Sequence, residues 1–108
     1  MANTFRLRTK ANIGVTTVGI YTVPASTMTT VIGLTLANVY GGNINVTVGI
    51  SRTNTDSVNV VKNVPIPQGS SLEVMSGNKI ILEANDSITV ISDVNTSLDA
   101  SLSILEMT

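Results

Sequence analysis

The sequence of 108 residues suits a single domain, because each of two halves would be too small to bury a substantial core. It contains no cysteine and no histidine, which excludes a disulfide framework, a thiolate metal site and the commonest general base. The net charge of −1 excludes the basic footprint that is typical of nucleic-acid-binding domains.

Low charge is the unusual property of the composition. Only 12% of the residues are charged, against roughly 25% in typical soluble domains. No apolar run approaches the ~18 residues of a membrane helix, and the first residues lack the apolar centre of a signal peptide. We therefore expect no membrane span and no secretion. Two interpretations of the low charge stay open: a surface largely covered by partners, or an ordinary β-domain with a neutral Thr/Asn surface.

The segment 5–11 alternates strictly between cations and smaller or apolar residues, and a period of two predicts a half-buried strand. Its apolar and small side chains would share the buried face. The three cations would point to the other side: Arg6, Arg8 and Lys10. Such a row is typical of an edge strand that is guarded against aggregation, and it could equally dock on an acidic partner.

The segments 28–37 and 44–50 are the two clearest strands of the middle of the chain. In the first, Ile32, Leu34 and Leu36 are predicted to face the core, and Gly33 the outside. The Gly-Gly-Asn sequence at 41–43 tolerates positive φ and predicts a hairpin that pairs the two segments antiparallel. That pairing would bring Gly33 close to Gly49.

The stretch 64–91 contains three short apolar segments separated by turn residues, the last two turns at 76–78 and 84–87. This spacing is typical of an antiparallel sandwich or barrel. The whole chain has eight or nine such segments and no sustained helical spacing, apart from one weak turn at 93–99. We predict an all-β domain over residues 1–108, an antiparallel β-sandwich or jelly-roll-like fold of about eight strands. A short N-terminal arm or edge strand would occupy about residues 1–11.

Alternation also predicts six apolar side chains that point away from the core: Val31, Val61, Met75, Ile81, Ile91 and Leu105. Three of these residues come from the stretch 64–91 and would form one patch if its strands paired as a meander: Met75, Ile81 and Ile91. The alternative is that the face assignment slips by one residue at a bulge, which would place these side chains in the core.

The sequence offers no constellation that is typical of catalysis or of a metal site. Its seven acids fall at predicted turns and strand ends, where solvated carboxylates are the usual case: Asp56, Glu73, Glu83, Asp86, Asp93, Asp99 and Glu106. The segment 83–87 lacks the spacing of a calcium loop, so we expect Asp86 to cap its own turn. Serines and threonines have no activating base. We predict no catalytic residue, no cofactor, no metal and no small-molecule substrate.

Two parts of the chain resemble small virion proteins of tailed bacteriophages. One is Tyr21-Thr22-Val23-Pro24 with the strand that ends at Asn38, and the other comprises 64–72, 78–82 and 86–88. The likeness covers most of the chain and is closest to structural proteins of contractile-tailed phages of marine cyanobacteria. At the position after the first corner, where glycine is usual, this chain has Ser26.

The resemblance implies a non-enzymatic particle component, commonly a capsid decoration (cement) protein that braces major capsid subunits, often as a trimer. We therefore expect a homotrimer on the capsid surface of a virion, assembled in the host cytoplasm, which contacts the major capsid protein and its own copies. A neck, tail or baseplate component and a host-glycan-binding module are the alternatives. The candidate partner contacts are Arg6, Arg8, Lys10, Met75, Ile81 and Ile91.

Overall fold

The structure is a computed structural model that describes residues 3–53, 55–75 and 79–108. Within these ranges the chain forms nine β-strands and no helix. None of the described segments is therefore a helix that could cross a membrane. The strands are β1 (Asn3–Ile13), β2 (Val18–Thr22), β3 (Met28–Asn38), β4 (Ile44–Ser51), β5 (Val58–Ile66), β6 (Ser71–Glu73), β7 (Ile80–Leu82), β8 (Ser87–Ser92) and β9 (Leu98–Met107).

The strands divide into two antiparallel sheets with one hydrophobic core between them. Sheet A has the order β1-β9-β3-β6, and β7 pairs with β3 as well, farther along its length. Sheet B has the order β2-β8-β4-β5. The predicted all-β antiparallel sandwich is confirmed.

The pairing is that of one long hairpin that has been rolled up. Taking β6 and β7 as one interrupted strand, the nested pairs from the tip outwards are β4–β5, β3–β6/β7, β2–β8 and β1–β9. Rolling the hairpin places β9 beside β3 and β8 beside β4, which completes the two sheets. This nested order defines a jelly roll.

The predicted hairpin between β3 and β4 is wrong, because these strands belong to different sheets. The connection at 39–43 crosses from sheet A to sheet B. The side chain of Asn38 stabilises this connection through three hydrogen bonds. Its Nδ2 donates to the carbonyl oxygens of Gly42 and Ile66 at 2.9 Å, and its Oδ1 accepts from the Tyr40 N–H at 2.8 Å. Turn residues such as Gly and Asn serve a crossing as well as a hairpin, so the turn signal could not distinguish the two.

The strands of the stretch 64–91 do not pair as a meander, which was the condition for a single apolar patch. Both β6 and β7 pair with β3 rather than with each other, and β8 belongs to sheet B. The turn predicted at 76–78 lies outside the described residues.

A bulge in β3 reverses the predicted faces of its first half. The register with β9 shifts between Val31 and Gly33, so the inward residues are Thr29, Val31, Leu34 and Leu36. The outward positions before the bulge are Met28, Thr30 and Ile32. The one-residue slip that the sequence left open therefore occurs at this position, and Val31 is a core residue.

The core is supplied by the inward positions of both sheets. Leu102 and Ile104 of β9 lie in the middle of sheet A, and Val46 and Val90 occupy the facing positions of sheet B, all fully buried. Burying a side chain of this size contributes about 1.5–3 kcal/mol, so these two layers of side chains hold the sandwich together.

Candidate interaction surface

A row of side chains crosses four strands on the outer side of sheet A. Phe5 of β1 pairs with Leu105 of β9, Leu105 pairs with Thr30 of β3, and Thr30 pairs with Ile81 of β7. Directly paired residues of antiparallel strands project on the same side of a sheet. The side chains therefore form one continuous row.

Large apolar side chains on this side of sheet A are exposed. The exposed fractions are 75% for Phe5, 62% for Leu7, 59% for Ile81, 47% for Met28 and 39% for Ile32. We name this surface the apolar face, and it consists of Phe5, Leu7, Met28, Ile32, Ile81, Leu105 and Met107. The central row and its two neighbouring rows, Asn3–Met107–Met28 and Leu7–Ser103–Gly33, contain no charged residue. An uncharged apolar surface of this extent is typical of an interaction site.

The outer side of sheet B has a different character. Its central strand β4 presents Asn45, Thr47, Gly49 and Ser51 outward, between the inward valines and isoleucines. The neighbouring strand β8 presents Ser87, Thr89 and Ile91. Most of these groups can be solvated by water through a hydroxyl or an amide, so this side needs no partner.

The three residues predicted to form one apolar patch lie in three different parts of the structure. Ile81 lies on the apolar face, as a surface contact requires. Ile91 lies half-buried on the outer side of sheet B, opposite Thr47. Met75 is 5% exposed and belongs to the core, so its predicted outward position is wrong. The proposed single patch fails because β8 crosses to the other sheet and because the segment after β6 turns inward.

The two faces of β1 are the reverse of the prediction. Arg6 and Arg8 pair with Ile104 and Leu102 of β9, which are fully buried, so the cations point to the side of the sheet that faces sheet B. Phe5 and Leu7 point outward and join the apolar face. Alternation separates two faces but does not say which one is covered, and the neighbouring strand β9 decides this. β1 is nevertheless an edge strand of sheet A, and its residues 3–12 are exposed.

Arg6 is held by a buried carboxylate. Its Nε donates to Oε1 of Glu106 at 2.5 Å, and the Tyr21 hydroxyl donates to Oε2 of Glu106 at 2.5 Å. The Tyr21 oxygen also lies 2.9 Å from Oγ1 of Thr29. Both carboxylate oxygens are therefore satisfied, and the network ties β1 and β2 to the centre of sheet A.

This network shifts the pKa values of two of its members. Hydrogen bonds from Tyr21 and Arg6 hold the pKa of Glu106 below its ordinary value, because they stabilise the carboxylate. Burial, followed by the hydrogen bond to Glu106, raises the pKa of Tyr21 to about 12. Glu106 was predicted to be a solvated acid at a strand end, and this is wrong because it is buried. A signal existed, since Glu106 continues the inward alternation of Ala100, Leu102 and Ile104.

A cleft at one end of the sandwich is lined by three charged side chains, those of Arg52, Glu83 and Asp86. Nε of Arg52 donates to Oδ1 of Asp86 at 3.1 Å, and its Nη2 donates to Glu83. Oδ2 of Asp86 accepts from the Glu83 N–H at 2.9 Å, which confirms the turn cap predicted for Asp86, although Asp86 is buried rather than solvated. Both carboxylates are bound by Arg52, and the described residues contain no group of three or more acids that could hold a metal.

The fold is similar to those of two solved assemblies. A chain of the Bacillus endospore appendages, a family of disulfide-linked pili, has a TM-score of 0.61 at 14% identity, with 99% of this chain and 87% of that chain covered. A chain of the acidic stable capsid of Helicobacter pylori bacteriophage KHP30 has a TM-score of 0.62 at 10% identity, with 99% and 89% covered. At such identities the likeness shows the fold alone. No family model and no curated protein matches the sequence. Neither comparison therefore supports the resemblance to structural proteins of cyanobacterial phages.

Proposed function

We propose that the chain is a non-enzymatic structural protein of a bacteriophage virion, and specifically a decoration protein that braces the major capsid subunits. The observation that carries the proposal is the apolar face, an uncharged surface of seven apolar side chains on the outer side of a jelly-roll sheet. Burial of this surface in an assembled shell would stabilise the assembled state by mass action.

The fold supports an assembly role. Jelly rolls are frequent in viral capsids, and a chain in a phage capsid structure shares this fold over nearly its whole length. The pilus chain with the same fold belongs to a disulfide-linked assembly, whereas this sequence contains no cysteine. Copies of this chain would therefore associate through non-covalent surfaces.

The chemistry of the described residues supports a binding role over a catalytic one. The buried carboxylate of Glu106 is fully engaged by Arg6 and Tyr21, and the carboxylates of the end cleft are engaged by Arg52. A general acid or base needs a proton-transfer partner in a substrate pose, and these groups are all bound to one another instead.

In this proposal the protein sits on the capsid surface as a homotrimer at local symmetry axes. Each copy buries its apolar face, against capsid subunits or sister copies, and leaves the polar outer side of sheet B in solvent. A closed threefold ring is one of the common symmetries of such assemblies.

Copy number per particle tests the proposal. Purified virions are separated on a stained gel, and the band of this protein is compared with that of the major capsid protein. A decoration protein gives hundreds of copies. A neck, tail or baseplate component gives about six to eighteen copies, in line with the symmetry near the tail, and would contradict the shell location. Absence from the virion would contradict the proposal as a whole.

A further inference from the structure

The outer edge of β1 is a long and unoccupied strand edge. β1 pairs with β9 on one side, and no described strand pairs with its other side. All residues from 3 to 12 are exposed along this 11-residue strand. An edge strand presents unpaired N–H and C=O groups, which form a template for an added strand.

The two faces of this edge offer different side-chain chemistry. Outward, Phe5 and Leu7 continue the apolar face up to the edge. On the other side, Arg8 and Lys10 are exposed, and neither forms an ion pair within the described part of the chain. Arg6 already forms an ion pair with Glu106. Two exposed cations that form no ion pair therefore project from one side of this open edge, and two exposed apolar side chains project from the other.

A second copy of this chain is a poor occupant of the edge. Antiparallel self-pairing of two β1 strands about Arg8 would place Arg8 opposite Arg8 and Lys10 opposite Arg6. Like charges directly opposite each other destabilise a strand pair. Of the other edge strands, β2 and β7 have no charged residue and β5 carries only Lys62. The one acid of the edge strand β6, Glu73, already accepts hydrogen bonds from Leu34 and Thr35 of β3.

We propose that β1 captures an extended segment of a partner protein, which adds as a strand to sheet A. The segment has acidic side chains opposite Arg8 and Lys10 and apolar side chains opposite Phe5 and Leu7. For an antiparallel strand this gives the pattern acid-x-acid-apolar-x-apolar. The inference rests on the proposed function for the source of the segment, which would be a major capsid subunit.

A pair of peptides tests the edge directly. A labelled peptide containing Glu-Thr-Glu-Val-Thr-Val is titrated with the full chain and followed by fluorescence anisotropy, with Lys-Thr-Lys-Val-Thr-Val as the reversed-charge peptide. We expect the acidic peptide to bind at least about tenfold more tightly, because opposite charges meet across the pair. Hydrogen exchange should show protection of amides between Phe5 and Lys10.

Charge reversal in the protein supplies the matched variants. In the double variant Arg8→Glu with Lys10→Glu, the preference should switch to the lysine peptide. The control Lys62→Glu changes a cation on the edge strand β5 and should leave the preference unchanged. The inference is overturned if the acidic peptide does not bind or if the two peptides bind equally. It is also overturned if the peptide protects backbone amides of β5 from hydrogen exchange, or if the protein alone sediments as a dimer whose β1 amides are protected.

Failure of this inference and failure of the proposed function are distinguishable. If the protein is present in virions in hundreds of copies but the peptide does not bind, only the strand capture is wrong. If the peptide binds with the expected charge preference but virions contain none of the protein, only the virion role is wrong.

Discussion

The outer sides of the two sheets differ although both follow the same alternation. The outer side of sheet B presents residues such as Thr47 and Ser51, which water solvates. The outer side of sheet A presents Phe5 and Ile81 in equivalent alternating positions. A sandwich requires apolar residues only on its two inner faces. The apolar residues on the outside of sheet A are therefore not needed for the fold, and they mark the side at which a partner is expected.

The largest expected effect comes from placing charge on the apolar face. The double variant Phe5→Asp with Ile81→Asp should weaken binding to particles that lack the protein by about 100-fold or more, since each buried side chain of this size contributes about 1.5–3 kcal/mol. Titration of the variant onto such particles measures the loss. Its unfolding free energy should stay within about 0.5 kcal/mol of wild type, because both side chains are exposed.

The matched control places the same charges on the other outer side. Ser51→Asp with Asn59→Asp changes two exposed residues on the outer side of sheet B. Binding to particles should be retained. Equal loss of binding in the two double variants would contradict the assignment of the apolar face as the contact surface.

The next effect concerns the network that anchors β1, and with it Phe5 and Leu7, to the sandwich. Glu106→Gln should lower the unfolding free energy by about 1–3 kcal/mol, because Tyr21 and Arg6 donate to different carboxylate oxygens and one of these becomes an NH2 group that cannot accept. Urea denaturation measures this change. The comparison variant Glu83→Gln loses only an exposed ion pair with Arg52 and should cost at most about 1 kcal/mol. A larger loss in Glu83→Gln would contradict the anchoring role of Glu106.

Glycines on the two outer sides should respond differently to a methyl group. A Cβ on Gly49 would lie 3.2 Å from the Val58 carbonyl oxygen, so Gly49→Ala should cost about 1–2 kcal/mol. Among the described residues, a Cβ on Gly33 would meet only Oε1 of Glu73, at 3.6 Å, and Gly33→Ala should change stability by less than about 0.5 kcal/mol. Thermal unfolding of the two variants checks the order, and the reverse order would contradict the described packing.

The smallest expected effect is the dependence of stability on pH. The folded-state pKa of Glu106 is lower than its ordinary value of 4.5, so its contribution to stability is complete above that pH and is lost as the pH falls through the folded pKa. This loss should be no larger than that in Glu106→Gln, because both changes remove the charge and leave one accepting carbonyl oxygen. Urea midpoints measured below pH 4.5 give this loss of stability. If Glu106→Gln loses the same amount of stability in acid as the wild type, the loss comes from other titratable groups.

At alkaline pH the same network predicts a second loss. The pKa of Tyr21 is about 12 in the folded protein against an ordinary value of 10.0, so its contribution is complete below pH 10 and is lost as the pH rises towards 12. Absorbance titration of the tyrosines, with Tyr21→Phe as reference, follows the ionisation. Ionisation of Tyr21 near pH 10 would contradict its burial against Glu106.

The sequence predicts the fold class because alternation and turn residues are local signals. It predicts neither the sheet to which β4 belongs nor the inverted faces of β1, because both depend on pairing with strands distant in the sequence. The bulge at Val31 and Gly33 has no local signal beyond the glycine itself. The apolar face was therefore predicted only in part: Ile81 and Leu105 were assigned outward, whereas Phe5 was assigned to the covered face.

Oxidative footprinting of intact particles tests the central claim most directly. Hydroxyl radicals label exposed Phe, Leu, Met and Ile side chains, and mass spectrometry compares the free protein with the virion. We predict that Phe5, Met28 and Ile81 are labelled in the free protein and lose most of their labelling in the virion. Labelling of these residues at equal rates in both states would contradict burial of the apolar face in the assembled particle.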